Sequence, residues 1–186
     1  MSKINKITPL TNVKFLNLYE LEAENKFGDT HPYYVASRKN ENMMMAATKE
    51  VIPDGVVIYS LFGEKADHLI MVRQFRYPLN DYIYEFPAGL IDNGEDVIKA
   101  ATRELFEETG LLASESEYLI KPSYTSVGMS DESVAVVKMK VYGNISTENL
   151  EENEEIEVIK VPRKEAKNFV KENNVSIKTA LVLSFM

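Results

Sequence analysis

The run from Gly89 to Leu111, GLIDNGEDVIKAATRELFEETGL, constrains this chain more than any other stretch. It reads as a loop followed by a helix. A glycine at 89 allows backbone geometry that a Cβ would forbid. Asp92, Glu95 and Asp96 crowd the predicted helix start, where carboxylates meet orphan N–H groups and the positive end of the helix dipole. Gly110 suits the left-handed residue just past a helix end. Between them Val97, Ile98, Ala101 and Leu105 recur at helical spacing and are expected to face a core. Arg103, Glu104, Glu107 and Glu108 are placed on the other side, three and four residues apart and therefore neighbours.

That charged face asks for a reason. Glu104 with Glu107, and Glu104 with Glu108, are like-charge pairs, each costing ~0.2–0.5 kcal/mol on a helix surface. Three carboxylates converging with one arginine make sense around a divalent cation. Oxygen ligands suit Mg²⁺ or Mn²⁺, and Mg²⁺ keeps waters and shares its shell with substrate phosphates.

Gly89, Glu95, Arg103, Glu104, Glu107, Glu108 and Gly110, with Leu105 and Leu111 in two apolar slots, fill every defining position of a known signature. The stretch resembles the box of the Nudix hydrolases. With each fixed identity at roughly one in fifteen by composition, seven together arise by accident at on the order of 10⁻⁸. The resemblance implies hydrolysis of a nucleoside diphosphate linked to another moiety, with a divalent metal.

The chain has 186 residues, enough for one domain with a substantial core. Hydrophobic residues make up 45% and charged ones 27%, the balance of an ordinary globular protein. A net charge of −8 argues against non-specific binding to nucleic acid or anionic membranes. It also means that positive charge must be imported to hold a pyrophosphate, by metal ions and a few arginines. With no cysteine there is no disulfide framework and no thiolate chemistry, which is compatible with a reducing cytoplasm. Met1 to Leu10 has no apolar core of signal-peptide length, and Ala180 to Met186 is far too short to span a bilayer.

Along the chain, Val13 to Glu24 alternates as a half-buried strand framed by Val13, Phe15, Leu21 and Ala23. Asn25 to Asp29 is a turn, and Tyr33 to Ser37 reads as the returning strand of a hairpin. The three methionines Met43, Met44 and Met45 suit a gap-filling or interface segment. Strands are expected at Gly55–Phe62, His68–Phe75, Tyr82–Gly89, Glu117–Ser123, Ser133–Tyr142 and Ile156–Val161. Helices are expected from Pro162 to about Glu172 and from Ser176 to Phe185. His68 is read as a solvated residue beside a turn. The acidic run from Glu148 to Glu157 is read as solvated surface rather than a second metal site, because it lacks helical register.

Further motifs narrow the resemblance to the ADP-ribose pyrophosphatase branch. Arg73 and Arg76 stand on a strand end and are candidates to grip phosphates, Arg76 being the one that aligns with that branch's substrate-binding arginine. The ending Glu85-Phe-Pro-Ala-Gly89 is typical of the branch. The resemblance makes the Ala88 carbonyl a metal ligand and gives Glu85 a role in orienting Arg103 or a water on the metal. Ser126, Gly128, Ser130 and Glu132 resemble the branch's Ser-x-Gly-x-Ser-x-Glu loop, in which the glutamate closes over substrate as base or additional metal ligand. One position departs: Val127 stands where the ADP-ribose-selective branch has proline, which leaves the sugar nucleotide open. Tyr33 and Phe75 are candidates to stack on a base.

The expected architecture is α/β: a Nudix-type α/β/α sandwich with a mixed sheet over residues 51–186, preceded by an N-terminal antiparallel β-hairpin extension over residues 1–50. That extension resembles the arm by which related hydrolases form homodimers. The resemblance implies cleavage of ADP-ribose to AMP and ribose 5-phosphate. Glu104, Glu108 and the Ala88 carbonyl would hold Mg²⁺, or Mn²⁺. Arg103 would orient the glutamates, Glu132 or else Glu107 would take a proton from water, and Arg76 would clamp a phosphate. GDP-mannose, another diphosphate derivative and a triphosphate are alternative substrates, and a non-catalytic nucleotide-sugar binding module is the alternative outside enzymes.

Overall fold

The computed structural model describes residues 1–185. Contacts group the chain into two compact units, one of Met1–Asp54 with Pro122–Val134, the other of Gly55–Lys121 with Ala135 onward.

The first unit is built on a three-stranded antiparallel sheet of β1 (Lys3–Pro9), β2 (Asn17–Glu24) and β3 (Thr30–Ser37), with β2 in the middle. Tyr19 and Leu21 alternate inward from β2 and meet Val35 and Met44 in a small core, with Ile4 and Ile7 packed against it. Met44 is 1% exposed and immediately precedes the short helix α1 (Met45–Thr48); of the three methionines it alone fills the core, Met43 being 46% exposed.

The expected hairpin is therefore two strands of three. The additional strand β1 escapes periodicity because the register slips between Ile4 and Lys6, leaving one residue out of the pairing. That bulge turns Ile4 and Ile7, three apart, onto the same core. The second strand also begins later than its alternation implies. Asn17 closes a loop on itself: its Oδ1 accepts the Val13 N–H at 2.8 Å and its Nδ2 donates to the Val13 carbonyl at 2.9 Å. Val13 and Phe15 lie outside the strand, 58% and 64% exposed.

The second unit holds β4 (Gly55–Phe62), β5 (His68–Arg76), β6 (Asp81–Glu85), β7 (Ala88–Leu90), helix α2 (Val97–Thr109) and β10 (Ile156–Pro162), then helices α3 (Ala166–Glu172) and α4 (Ile177–Ser184). The strands β8 (Leu112–Tyr124) and β9 (Ser133–Tyr142) carry residues of both units. The mixed sheet runs β10-β5-β4-β9-β8, with β6 beside β5 and β7 beside β4. Val56, Val57 and Ile58 of β4, and Leu69 to Val72 of β5, are buried without a break. Successive strand residues point to opposite faces, so both faces of the sheet centre are covered, as the sandwich requires. Val56, Ile58, Ile70, Val137, Met139 and Val141 meet Ala100, Ala101, Leu105 and Leu111 in the main core.

The single strand expected from Tyr82 to Gly89 is two. Pro87 has no N–H to give to a ladder, and its carbonyl accepts the Ile58 N–H at 2.8 Å as the chain shifts from β5 to β4. Pro162 ends β10 and leads through one 3₁₀ turn, Arg163–Glu165, into α3. Ser176 caps α4, accepting the Thr179 N–H at 3.3 Å.

Candidate active site

Helix α2 starts and stops on local chemistry. Asp96 caps it, accepting the N–H groups of Ile98 and Lys99 at 3.0 Å each, and Gly110 ends it at φ 70° with its N–H on the Phe106 carbonyl at 2.8 Å. Two of its glutamates, one turn apart, meet successive residues of β7. A Cβ on Gly89 would stand 1.9 Å from Cδ of Glu104 and 2.2 Å from each of its oxygens. Gly89 lies in a strand, paired with Val56, so the glycine is there for space rather than for an unusual backbone angle. Glu108 accepts the Ala88 N–H on Oε2 at 3.1 Å.

Glu108 is not on the exposed flank expected for it: it is 2% exposed. The signal was present in the helix period. Position 108 lies three past Leu105 and seven past Ala101, on the edge of the apolar stripe.

Arg103 is enclosed by acceptors. Its Nε and Nη2 grip both oxygens of Glu95, at 3.2 and 2.9 Å, and Nη2 also reaches the Leu90 carbonyl at 2.9 Å. Nη1 bonds Glu104 Oε1 at 2.8 Å and Glu107 Oε2 at 3.0 Å. The loop is tied back as well, since Glu95 Oε2 accepts the Asp92 N–H at 3.2 Å. The partner that orients Arg103 from outside the helix is therefore Glu95, not Glu85.

Glu85 is taken by Arg76 instead, whose Nε and Nη2 bond its Oε2 at 2.7 and 2.6 Å. The structure does not bring Arg73 and Arg76 together. Three apart on a strand, they leave opposite faces, and Arg73 stacks 3.9 Å over the Tyr82 ring and pairs with Glu157 at 3.5 Å. Of the two candidate aromatics, Phe75 packs edge-on against Tyr77 and Tyr82, and the Tyr33 hydroxyl donates to the Gly128 carbonyl at 2.8 Å.

Electrostatics set the two helix glutamates apart from Glu95. Burial pushes the Glu108 carboxyl well above the usual range, against the Ala88 N–H that favours its ionised form; Glu104 and Glu154 add like charge. Burial raises Glu104 too, opposed by Arg103 and reinforced by Glu107 and Glu154. The Arg103 guanidinium holds Glu95 low, and Glu95 in turn raises Arg103. Glu154 belongs to the acidic run read as solvated surface. It is half-buried and its field reaches both glutamates, a long-range relation that no local pattern announces.

The donors present are oxygens only, two of them carboxylates crowded together against a backbone strand. Among the described residues no three Asp, Glu or His side chains already converge as a ready cage. Mg²⁺ asks for less, keeping waters beside one or two carboxylates. A hard divalent cation fits this donor set and would relieve the like-charge pair and the buried Glu108 together.

Glu132 lies in the first unit. Arg38 Nε bonds its Oε1 at 3.2 Å and Thr125 Oγ1 its Oε2 at 2.7 Å. Arg38 does not stand out in the sequence because it lies 94 positions away, and Thr125, though directly before Ser126, falls outside the Ser-x-Gly-x-Ser-x-Glu pattern.

The NUDIX domain profile matches residues 51–180, a span that contains the whole Gly89–Gly110 arrangement. The chain belongs to the Nudix family. It is 34% identical over 145 residues to the ADP-ribose pyrophosphatase of Bacillus subtilis, covering 76% of this chain and 77% of that protein. It is equally 34% identical over 138 residues to the methanol dehydrogenase activator of Bacillus methanolicus, covering 72% of each. A shorter match, 44% over 68 residues, is to the ADP compounds hydrolase NudE of Escherichia coli, covering 34% of this chain and 37% of that one. Nudix enzymes generally use divalent metal ions, in keeping with the oxygen donors of Glu104 and Glu108. No helix of this Nudix protein, among the described residues, is long and apolar enough to cross a membrane.

Proposed function

We propose that this Nudix hydrolase cleaves the diphosphate of an ADP-sugar, with ADP-ribose going to AMP and ribose 5-phosphate. The observation that carries the reading is the pair Glu104 and Glu108, set one turn apart against Gly89 and Ala88 with Arg103 locked beside them. The relatives named for ADP-ribose and ADP compounds support the substrate class.

In this reading Glu104, Glu108 and the Ala88 carbonyl hold Mg²⁺, or Mn²⁺. When bound, the cation supplies neutralisation of phosphate charge and a water of lowered pKa. Arg103 keeps Glu104 and Glu107 from swinging away. Water attacks one phosphorus, the bridging oxygen leaves with the other phosphate, and the water's proton passes to Glu132, or else Glu107. Arg76, held by Glu85, clamps a phosphate oxygen. The enzyme works as a homodimer in the cytoplasm: Val13, Phe15, Leu16, Phe27 and Tyr34 of the first unit leave apolar area exposed that a second copy would cover, and a chain without cysteine suits a reducing compartment.

Val127 bears on the sugar. It stands where the ADP-ribose-selective branch carries proline, so GDP-mannose and other nucleoside diphosphate sugars belong in the assay. Purified protein with Mg²⁺ is given a sugar-nucleotide and triphosphate panel with mass-resolved products, beside Glu108→Gln. Turnover of ADP-ribose to AMP, lost in the variant, is expected; pyrophosphate as the main product would place the protein among triphosphate hydrolases. Background rates on every compound would overturn the proposal, as would an undiminished variant.

A further inference from the structure

The loop that carries Glu132 is held from Gly128 to Ser133 by the rest of the first unit. Before the glutamate, the Tyr33 hydroxyl donates to Gly128, and the Ala36 N–H donates to the Met129 carbonyl at 2.9 Å, where Ala36 and Ser130 form a parallel bridge. At its neighbour, Asp131 Oδ2 accepts the Met45 N–H at 3.2 Å. After it, Asp54 and Ser133 exchange two bonds: the Asp54 N–H donates to the Ser133 carbonyl at 2.8 Å, and the Ser133 N–H to Asp54 Oδ2 at 2.9 Å. Lys39, next to Arg38, pairs with the other oxygen of Asp54.

With the backbone pinned on both sides, the freedom left at this position is in the three side-chain torsions of Glu132. Those are addressed by two groups at once, Arg38 on Oε1 and Thr125 on Oε2. The Arg38–Glu132 pair has its side chains 35% and 32% exposed. A pair so open to water adds little to stability. What it does is fix a direction.

We infer that Arg38 is a positioning residue for the Glu132 carboxylate, with Thr125 as its counterpart on the other oxygen. The inference rests on Glu132 being the base. A residue that acts through Glu132 is expected to lower kcat on its loss and to leave KM in place.

The test compares Arg38→Met, Arg38→Lys, Thr125→Val, Glu132→Gln and the double variant Arg38→Met/Glu132→Gln on the substrate that the wild type turns over, with circular dichroism to confirm folding. A positioned base is worth ~10²–10⁴-fold, so loss of aim should cost about tenfold or more in kcat. The expected pattern is that fall for Arg38→Met with KM within about twofold, partial recovery in Arg38→Lys, and a double variant no slower than Glu132→Gln alone. If Arg38→Met fails to fold, Thr125→Val carries the same kcat test on the opposite oxygen. A wild-type kcat in both Arg38→Met and Thr125→Val, a change confined to KM, or additive losses in the double variant would overturn the inference while leaving Glu132 as base. An unimpaired Glu132→Gln would instead remove the reading beneath it.

Discussion

The carboxylate of Glu104 occupies the space that a side chain on Gly89 would need: the built Cβ falls 1.9 Å from Cδ of Glu104. Gly89→Ala therefore cannot coexist with the present position of that carboxylate. Glutamate tips are flexible, so the side chain should swing aside and the fold survive. Mn²⁺ affinity by titration calorimetry and kcat are both expected to fall, kcat by on the order of 10²-fold, comparable with the upper effect of disturbing a ligand's support. Wild-type metal affinity in Gly89→Ala would show that Glu104 binds no cation.

Glu108 sets a conflict between stability and function. Its carboxyl titrates well above the ordinary range because it is buried, so the folded state holds that proton more tightly than the unfolded chain. Its contribution to stability is complete below the unfolded carboxyl pKa and is lost as pH rises through the higher folded value. In metal-free protein at neutral pH, Glu108→Gln should melt above wild type, and the gap should close as the pH falls toward ~4.3, the usual glutamate range. Mg²⁺ should raise the melting temperature of wild type and not of the variant, while kcat of the variant falls by at least on the order of 10²-fold. A variant that melts lower than wild type at neutral pH would contradict this account of Glu108.

Glu95 and Glu85 should separate by kinetic parameter. Glu95→Gln weakens the two-oxygen grip on Arg103 and frees the guanidinium that steadies Glu104 and Glu107. Its kcat is expected to drop by ~10–100-fold, the range for losing an outer support of a metal site. Glu85→Gln releases Arg76, and its effect should appear chiefly as a higher KM. Steady-state kinetics on both variants decides the matter, and a reversed pattern would reassign the two carboxylates.

Asp96 offers a purely structural contrast. Its carboxylate holds two N–H groups at the start of α2 and touches none of the helix glutamates' partners. Asp96→Ala should cost ~1 kcal/mol of stability, seen as a melting temperature lower by about 2–4 °C in a protein of this size. At temperatures where the protein stays folded kcat should be unchanged.

Much of this is legible in the sequence. Both ends of α2 follow from a capping carboxylate and a left-handed glycine, which act within one turn. Strand β4 ran from Gly55 to Phe62 as read, because a run of apolar β-branched and aromatic residues bounded by turns has few other outcomes. The crowding of acids around Glu104 was visible in the like-charge spacing.

Other relations were not. Strand β1 was hidden by a bulge, and the start of β2 by an asparagine that folds its own loop. The burial of Glu108 was readable from its spacing to Ala101 and Leu105, but its charge outweighed its phase.

By itself, then, the order of residues determined the helix, its limits, the central strands and the identity of the charged groups, since those depend on neighbours within about four positions. Only tertiary structure decided which acids beyond its own helix or segment an arginine holds. Arg103 reaches Glu95 across 8 positions and Arg38 reaches Glu132 across 94, and such choices turn on how separate segments fold against one another. Charge attraction has little preference among several nearby carboxylates; the backbone decides which of them come within hydrogen-bond reach.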